Sequence, residues 1–379
     1  MRHRFLFAAS FAACALVAGG APAPAQPNAA AGAKTIQVDG SSTVEPVTSA
    51  VAAEFSKAHP DVRLSVAVSG TSGGFRRFVV GETDMSNASR AIKASEIKTA
   101  GENGVGYVES LVAFDGLTVA VDRETKIFKT GRPCMTVGEL QLLWGREAEG
   151  IVERWSQLGS RFADAGITLS GAASTSGTFD FFTDAVNRKE GDTRSDYFGT
   201  EEDQLLAEQT GQDPHALTYF GYAFYLHNQD RVQPVAIDSR STTIDAPKAV
   251  LDQVNAKRAA NGKGPLANAA GACQGVAPDV DTIGSFAYQP LTRPLFVYTN
   301  LKSAERPVIE EFLESYLGED RIGNREFMLD VGYIPVTRRL REAARSCWAK
   351  RVPGTAFDGE FGGLSAQDIA TKYGSHCKL

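Results

Sequence analysis

Four short turns rich in serine, threonine and glycine carry the chemistry open to this sequence. They are Ser41-Ser42-Thr43-Val44, Ser69-Gly70-Thr71-Ser72-Gly73-Gly74, Ala88-Ser89-Arg90 and Ser174-Thr175-Ser176-Gly177-Thr178. Hydroxyls at Ser42, Thr43, Thr71, Ser72, Ser176 and Thr178 can donate hydrogen bonds. Gly70, Gly73 and Gly177 let backbone N–H groups approach a ligand closely. Where such a turn opens a helix, the unpaired N–H groups and the positive end of the dipole favour an anion. A tetrahedral oxyanion suits this supply, because its four oxygens accept donors from several directions. Charge-assisted hydrogen bonds contribute about 1.5–3 kcal/mol each, so a handful supports micromolar binding, which needs about 8 kcal/mol. A single Ser or Thr before a helix is most simply an N-cap. Four such turns, two of them reading Ser-Gly-Thr at 69–71 and 176–178, point instead to convergence on one ligand. Arg90 is the natural fixed cation, and Arg194, in Thr-Arg-Ser-Asp-Tyr, is a second candidate.

The elements that must position these turns alternate. Thr35 to Gly40 reads as a strand, and Val47, Val51 and Phe55 share one face of a helix. Leu64 to Val68 alternates as a second strand, a helix begins near Phe75, and Asp84 to Ala88 is a third strand. The succession predicts parallel βαβ units, in which ligands bind beyond the carboxyl ends of the strands. The small-polar turns fall at those ends. Further on, Leu111 to Val121 is a long apolar run, and Val137 to Trp144 and Ile151 to Leu158 read as helix pieces. Ile167 to Ser170 is a strand leading into the fourth turn, with a helix over Phe179 to Asn187. Asn187 to Asp203 reads as a polar surface loop, and Tyr219 to Tyr225 is ambiguous between strand and helix. Arg293 to Tyr298 is a strand candidate, and Val308–Leu317 and Ile322–Val331 are closing helices.

Composition bounds the class. The chain has 379 residues with 39 Lys and Arg against 45 Asp and Glu, a formal charge of -6, and 43% hydrophobic residues. This is a soluble globular balance, at a length where single cores split in two. Its acidity disfavours a general nucleic-acid partner. Arg2 and Arg4, the apolar run Phe5 to Ala18 and Ala23-Pro24-Ala25 read as a signal peptide over residues 1–25, followed by a linker over 26–33. The apolar run is shorter than the ~20 residues a bilayer span requires. Cys14 loosely resembles a lipoprotein cleavage site, but Leu is missing three residues before it, so the cleaved signal peptide is preferred. Cleavage leaves 37 basic against 45 acidic residues, or -8. The remaining Cys134, Cys273, Cys347 and Cys377 predict two disulfides in any of three pairings. None has zinc-site spacing, and no metal or cofactor is expected.

Parts of the sequence also fit two other function classes. Gly70-Thr71-Ser72-Gly73-Gly74 satisfies G-x-S-x-G between a strand and a helix, which would make Ser72 the nucleophile of a secreted hydrolase or phosphatase. His215, His227 and His376 are the downstream histidines, and none forms an evident pair with an acid. No catalytic residue is therefore assigned. An adhesion module is the other alternative, although it has no need of four anion-cradling turns.

Taken together, Asp39-Gly-Ser-Ser-Thr-Val44, Ser69-Gly-Thr-Ser-Gly-Gly-Phe75, Asp84-Met-Ser-Asn-Ala-Ser-Arg90 and Thr175-Ser-Gly-Thr-Phe-Asp-Phe-Phe182 resemble the periplasmic phosphate-binding proteins of phosphate ABC importers, the PstS family. Tyr219-Phe-Gly-Tyr-Ala223 and Gln289-Pro-Leu-Thr-Arg-Pro-Leu295 fit it too. The resemblance implies a two-lobed α/β architecture, each lobe a central sheet flanked by helices, with the anion in the cleft between lobes. Residues 34–121 and 286–379 would form one lobe, with a C-terminal extension, and 122–285 the other. The crossovers would be Leu117–Val121 and Leu291–Tyr298. It implies a phosphate site made of Ser42, Thr43, the Val44 N–H, Thr71, Ser72, Arg90, Ser176, Gly177 and Thr178. It also implies a monomer that serves a membrane permease. Some members place an aspartate where this chain has Arg90, and an arginine where it has Ala172. The aspartate's role as proton acceptor then falls to Asp115 or Asp180.

Overall fold

The computed structural model describes residues 34–174, 176–200, 202–242, 244–268, 271–357 and 366–378. The expected signal peptide and linker lie outside the described residues.

The chain opens with β1 (Lys34–Gly40), α1 (Glu45–Ala58), β2 (Val62–Val68), α2 (Thr71–Phe78), β3 (Met85–Ala88) and α3 (Ala94–Glu102). A long strand, β4 (Tyr107–Asp122), leads to β5 (Cys134–Thr136) and α4 (Val137–Trp144). Then come β6 (Thr168–Ala172), α5 (Gly177–Asn187), β7 (Phe198–Thr200), α6 (Asp203–Thr210), β8 (Ala216–Gly221) and α7 (Tyr222–His227). They are followed by β9 (Val232–Pro234), β10 (Ala236–Asp238), α8 (Lys248–Ala260), α9 (Val280–Gly284) and β11 (Thr292–Asn300). The chain closes with α10 (Pro307–Tyr316), α11 (Arg325–Val331), β12 (Ile334–Pro335), α12 (Arg338–Ala349) and α13 (Ala366–His376).

The main sheet runs β2-β1-β3-β11-β4-β8-β6-β7, with β9 and β12 also on β4. β1 is parallel to β2 and β3, and β6 is parallel to β7 and β8. β4 and β11 interrupt this with antiparallel pairing. β4 serves both ends of the sheet: Tyr107 to Gly116 pairs with β11, and Leu117 to Val121 pairs with β8. β11 pairs only with β3 and β4 among the described strands, so the chain returns from the β6–β8 end just before Thr292.

Local chemistry explains the elements around the turns. α1 starts with Glu45 in its first turn and Pro46, whose fixed φ suits an opening turn, and it buries Val47, Val51 and Phe55. β4 is buried along nearly its whole length, as a strand covered on both faces must be. α2 lies against β1 so closely that a Cβ on Gly74 would sit 2.5 Å from the Gly40 Cα. That contact holds the second turn beside the first. Beyond the sheet's centre, Phe182 stacks on Tyr219 at 3.7 Å and both meet Trp144 edge-on, anchoring α5 behind the fourth turn.

Three expectations change. Ile151–Leu158 keeps only a 3-10 turn at Trp155–Leu158. The polar stretch 187–203 contains strand β7 and the buried side chains Asp192 and Arg194, because Arg194 pairs with Asp196 within it and Asp192 pairs with Arg146 and Lys263 from outside it. Tyr219 to Tyr225 divides at Gly221, strand before and helix after.

The disulfides are Cys134–Cys273 and Cys347–Cys377. The second ties α13 to α12 across 30 residues. Closing a loop of that length restricts the unfolded chain by about 3–4 kcal/mol. The Cys347→Ser/Cys377→Ser variant is therefore expected to unfold at a clearly lower temperature in scanning calorimetry; an unchanged midpoint would contradict the clamp.

Candidate functional site

The turns meet in one cavity of about 990 Å³. Its lining includes Ser42, Thr71, Ser72, Arg90, Gly177 and Asp180, contributed from both ends of the sheet. The closest approach is at the deep end. A Cβ on Gly177 would lie 2.7 Å from Ser42 Oγ and 2.9 Å from Thr43 Oγ1, so glycine alone lets the N-terminus of α5 sit on the first turn.

Each turn is organised before any ligand arrives. In the first, Ser41 donates its N–H to Asn87 O, and Thr43 N–H donates to Ser41 Oγ. Val44, the N-cap of α1, is fully buried and its N–H donates to Ser41 O at 3.2 Å. That N–H is already used inside the turn, in contrast to the expected free donor. In the second turn, Thr71 Oγ1 accepts from Ser89 N–H at 3.2 Å and shares a hydrogen bond with Ser89 Oγ at 3.0 Å, tying α2 to the end of β3. Ser176 caps α5 by accepting from Thr178 N–H.

Arg90 lines the cavity but is not a free cation. It makes two hydrogen bonds to Glu96, at 2.8 and 2.9 Å, donates to Ala91 O, and lies 5.2 Å from the centre of the Phe75 ring. Its remaining bond goes to Ser72 Oγ at 3.0 Å. Ser72 is thus an acceptor for arginine. No histidine lines the cavity among the described residues. His227 contacts Ala223 O within α7, and His215 lies beside Asp213 before β8, so Ser72 lacks the base that a hydrolase requires.

Sequence reasoning missed the centre of the site, which is Arg293 on β11. Its side chain is 7% exposed and pairs with Asp115, itself 7% exposed, at 2.9 and 3.0 Å. It donates to Thr43 Oγ1 at 2.8 Å, and its guanidinium lies 4.2 Å from the centre of the Phe181 ring on α5. One planar cation thereby touches the first turn, strand β4 and the helix of the fourth turn. The available signal was the Thr-Arg-Pro that interrupts an otherwise apolar strand, where a buried arginine demands a partner.

The two aspartate candidates separate. Asp115 is committed to Arg293. Asp180, in the first turn of α5, makes no ion pair among the described residues and faces the cavity. Burial raises its carboxyl above the usual range, Glu190 adds to this, and Arg293 opposes it. Arg194 is placed elsewhere. It lines a separate cavity of about 590 Å³, where it donates to Leu143 O and Val152 O and pairs with Asp196. It does not reach the cavity of the turns. No cluster able to hold a metal ion occurs among the described residues.

Breaking a buried ion pair from one side leaves an uncompensated charge. Asp115→Ala should lower the unfolding free energy by about 3–5 kcal/mol, and the Asp115→Ala/Arg293→Met pair by less. Urea unfolding checks this; equal losses would mean that the two groups are not coupled.

Comparison with known proteins gives the family. The PBP superfamily domain matches residues 25–318. SphX of Synechocystis sp. is 34% identical over 328 residues, which is 86% of each chain. The phosphate-binding protein PstS of Staphylococcus saprophyticus is 27% identical over 342 residues, covering 89% of this chain and 92% of that one. The crystal structure of a possible phosphate binding protein from Planctomyces limnophilus has 35% identity and a TM-score of 0.66, over 84% of this chain and 98% of that one. By its matched domain, its relatives and the placing of its turns, this chain belongs to the PBP superfamily and, within it, to the PstS family.

Proposed function

We propose that this protein is a periplasmic receptor that captures inorganic phosphate and delivers it to the membrane permease of an ABC importer. The observation that carries this reading is the meeting of the N-termini of α1, α2 and α5 at one cavity around the buried guanidinium of Arg293. Helix N-termini and hydroxyls supply donors without net charge, and Arg293 and Arg90, each balanced by a carboxylate, supply fixed and oriented N–H donors. That is what a multiply charged tetrahedral oxyanion needs. Ser42, Thr43, Thr71, Ser72, Arg90, Ser176, Gly177 and Thr178 form the site in this reading, with Arg293 added.

Residues 34–121 and 286–379 act as one lobe and 122–285 as the other. Phosphate contacts both, so it binds the closed form better and shifts the population toward it. Closure then marks the loaded receptor for the permease. No helix among the described residues is long and apolar enough to cross a membrane. A secreted receptor needs none.

Asp180 is assigned as the group that accepts the proton of hydrogen phosphate. Ionised, it accepts that proton and repels fully ionised sulfate. Its raised value means that it becomes protonated at a higher pH than an ordinary aspartate, and this discrimination falls away as pH drops through that value.

Calorimetric titration of the mature, ligand-stripped protein should give one phosphate per chain with micromolar or tighter affinity, and no heat with sulfate at pH 7. Heat with neither anion from a folded sample would reject the reading. Arg90→Ala should weaken phosphate binding at least tenfold in a sample that still unfolds cooperatively; near-normal affinity would remove Arg90 from the site. Sulfate should begin to compete in Asp180→Asn at pH 7, and in the wild type only toward the acid end. A variant that still ignores sulfate would take the proton acceptor away from Asp180.

A further inference from the structure

Glu109, on β4, is a fully buried carboxylate that takes no part in the cavity. It accepts hydrogen bonds from three directions. Tyr298 Oη donates to it at 2.7 Å, Ala356 N–H at 3.0 Å, and Thr355 Oγ1 donates as well. Tyr298 leads toward the site. Its hydroxyl accepts from Ile92 N–H at 3.0 Å, two residues beyond Arg90. Its ring meets Phe75 edge-on at 5.0 Å, and Phe75 is the ring under the Arg90 guanidinium. A tyrosine hydroxyl has one proton, so donating to Glu109 turns its lone pairs toward Ile92. Burial, and then the charge of Glu109, hold that hydroxyl well above the ordinary tyrosine value, so it stays a donor.

Thr355 and Ala356 lead away from the site. They follow α12 and lie beyond residue 318, where the superfamily match ends. Their segment is fastened to β4 repeatedly. Gly354 N–H donates to Tyr107 O, Tyr373 Oη donates to Glu109 O, and Leu111 N–H donates to Tyr373 Oη. Phe357 stacks on Tyr373, and Cys347–Cys377 closes the unit.

We propose that the C-terminal segment positions Arg90 for phosphate, acting through Glu109 and Tyr298. This inference rests on the phosphate reading above. The segment supplies two of the donors that orient Glu109, Glu109 orients the Tyr298 hydroxyl, and Tyr298 holds both the backbone after Arg90 and the ring beneath it. Glu109 and Tyr298 are positioning residues, since neither lines the cavity.

The test is a double-mutant cycle on the full mature chain, read by phosphate calorimetry. Tyr298→Phe keeps the ring and removes the hydroxyl, and it should weaken phosphate binding about five- to tenfold, the worth of a buried hydrogen bond. In an Arg90→Ala background the same change should have no effect on affinity. Thr355→Val, at the far end of the relay, should weaken binding about two- to threefold and also lose its effect without Arg90. It carries the cycle if Tyr298→Phe fails to fold. Equal losses in both backgrounds, or unchanged affinity in folded variants, would overturn the inference while phosphate binding by the wild type stands. A wild type that takes up no phosphate would bring down the reading beneath it, and this inference with it.

Discussion

The structure depends on one buried guanidinium. Arg293 could not sit inside the sheet without Asp115, and the pair could not be tolerated there without the further bond to Thr43 Oγ1. Once satisfied, it fixes three separate pieces of chain against each other: a turn near the N-terminus, the strand that serves both ends of the sheet, and the helix of the fourth turn. Phe181 covers one face of the cation. The cavity is therefore a consequence of how that charge was buried.

The second arginine follows the same rule by a different route. Arg90 is balanced by Glu96, six residues on, as Arg293 is balanced by Asp115. Arg90 and Arg293 thus each arrive with a carboxylate, so these two pairs add no net charge, while Arg76 and Arg188 on the cavity's lining stand beside Asp180, Asp184 and Glu190. Attraction for an anion then comes from backbone dipoles, hydroxyls and the unused edges of the two guanidinium groups. In the phosphate reading such a site would hold its ligand by many oriented donors, which favours an ion of fixed tetrahedral shape.

What could be read in the sequence followed the range of the interactions. The turns were legible because hydroxyls, glycines and the helices after them lie within ten residues of each other. The strands and helices around them were legible by periodicity. Arg293 was not, because its partners lie 178 and 250 residues away and nothing local announces them. Arg194 misled for the converse reason: its polar neighbourhood suggested solvent, whereas Asp196 and two backbone carbonyls absorb it in a buried position. The disulfide pairing and the seating of α13 on β4 depend equally on distant contacts, and four cysteines at those spacings leave all three pairings open.

The shared strand β4 has a mechanical meaning. Its ladder partner changes from β11 to β8 between Gly116 and Leu117, so in the two-lobed reading proposed above that junction is where the two ends of the sheet would pivot. Asp115 is the residue beside it. In that reading a lever pivoting there would sweep its far tips through a long arc and move the guanidinium beside the pivot least, so the mouth would open to exchange the anion while the floor of the cavity, held by Arg293 and Asp115, kept its register.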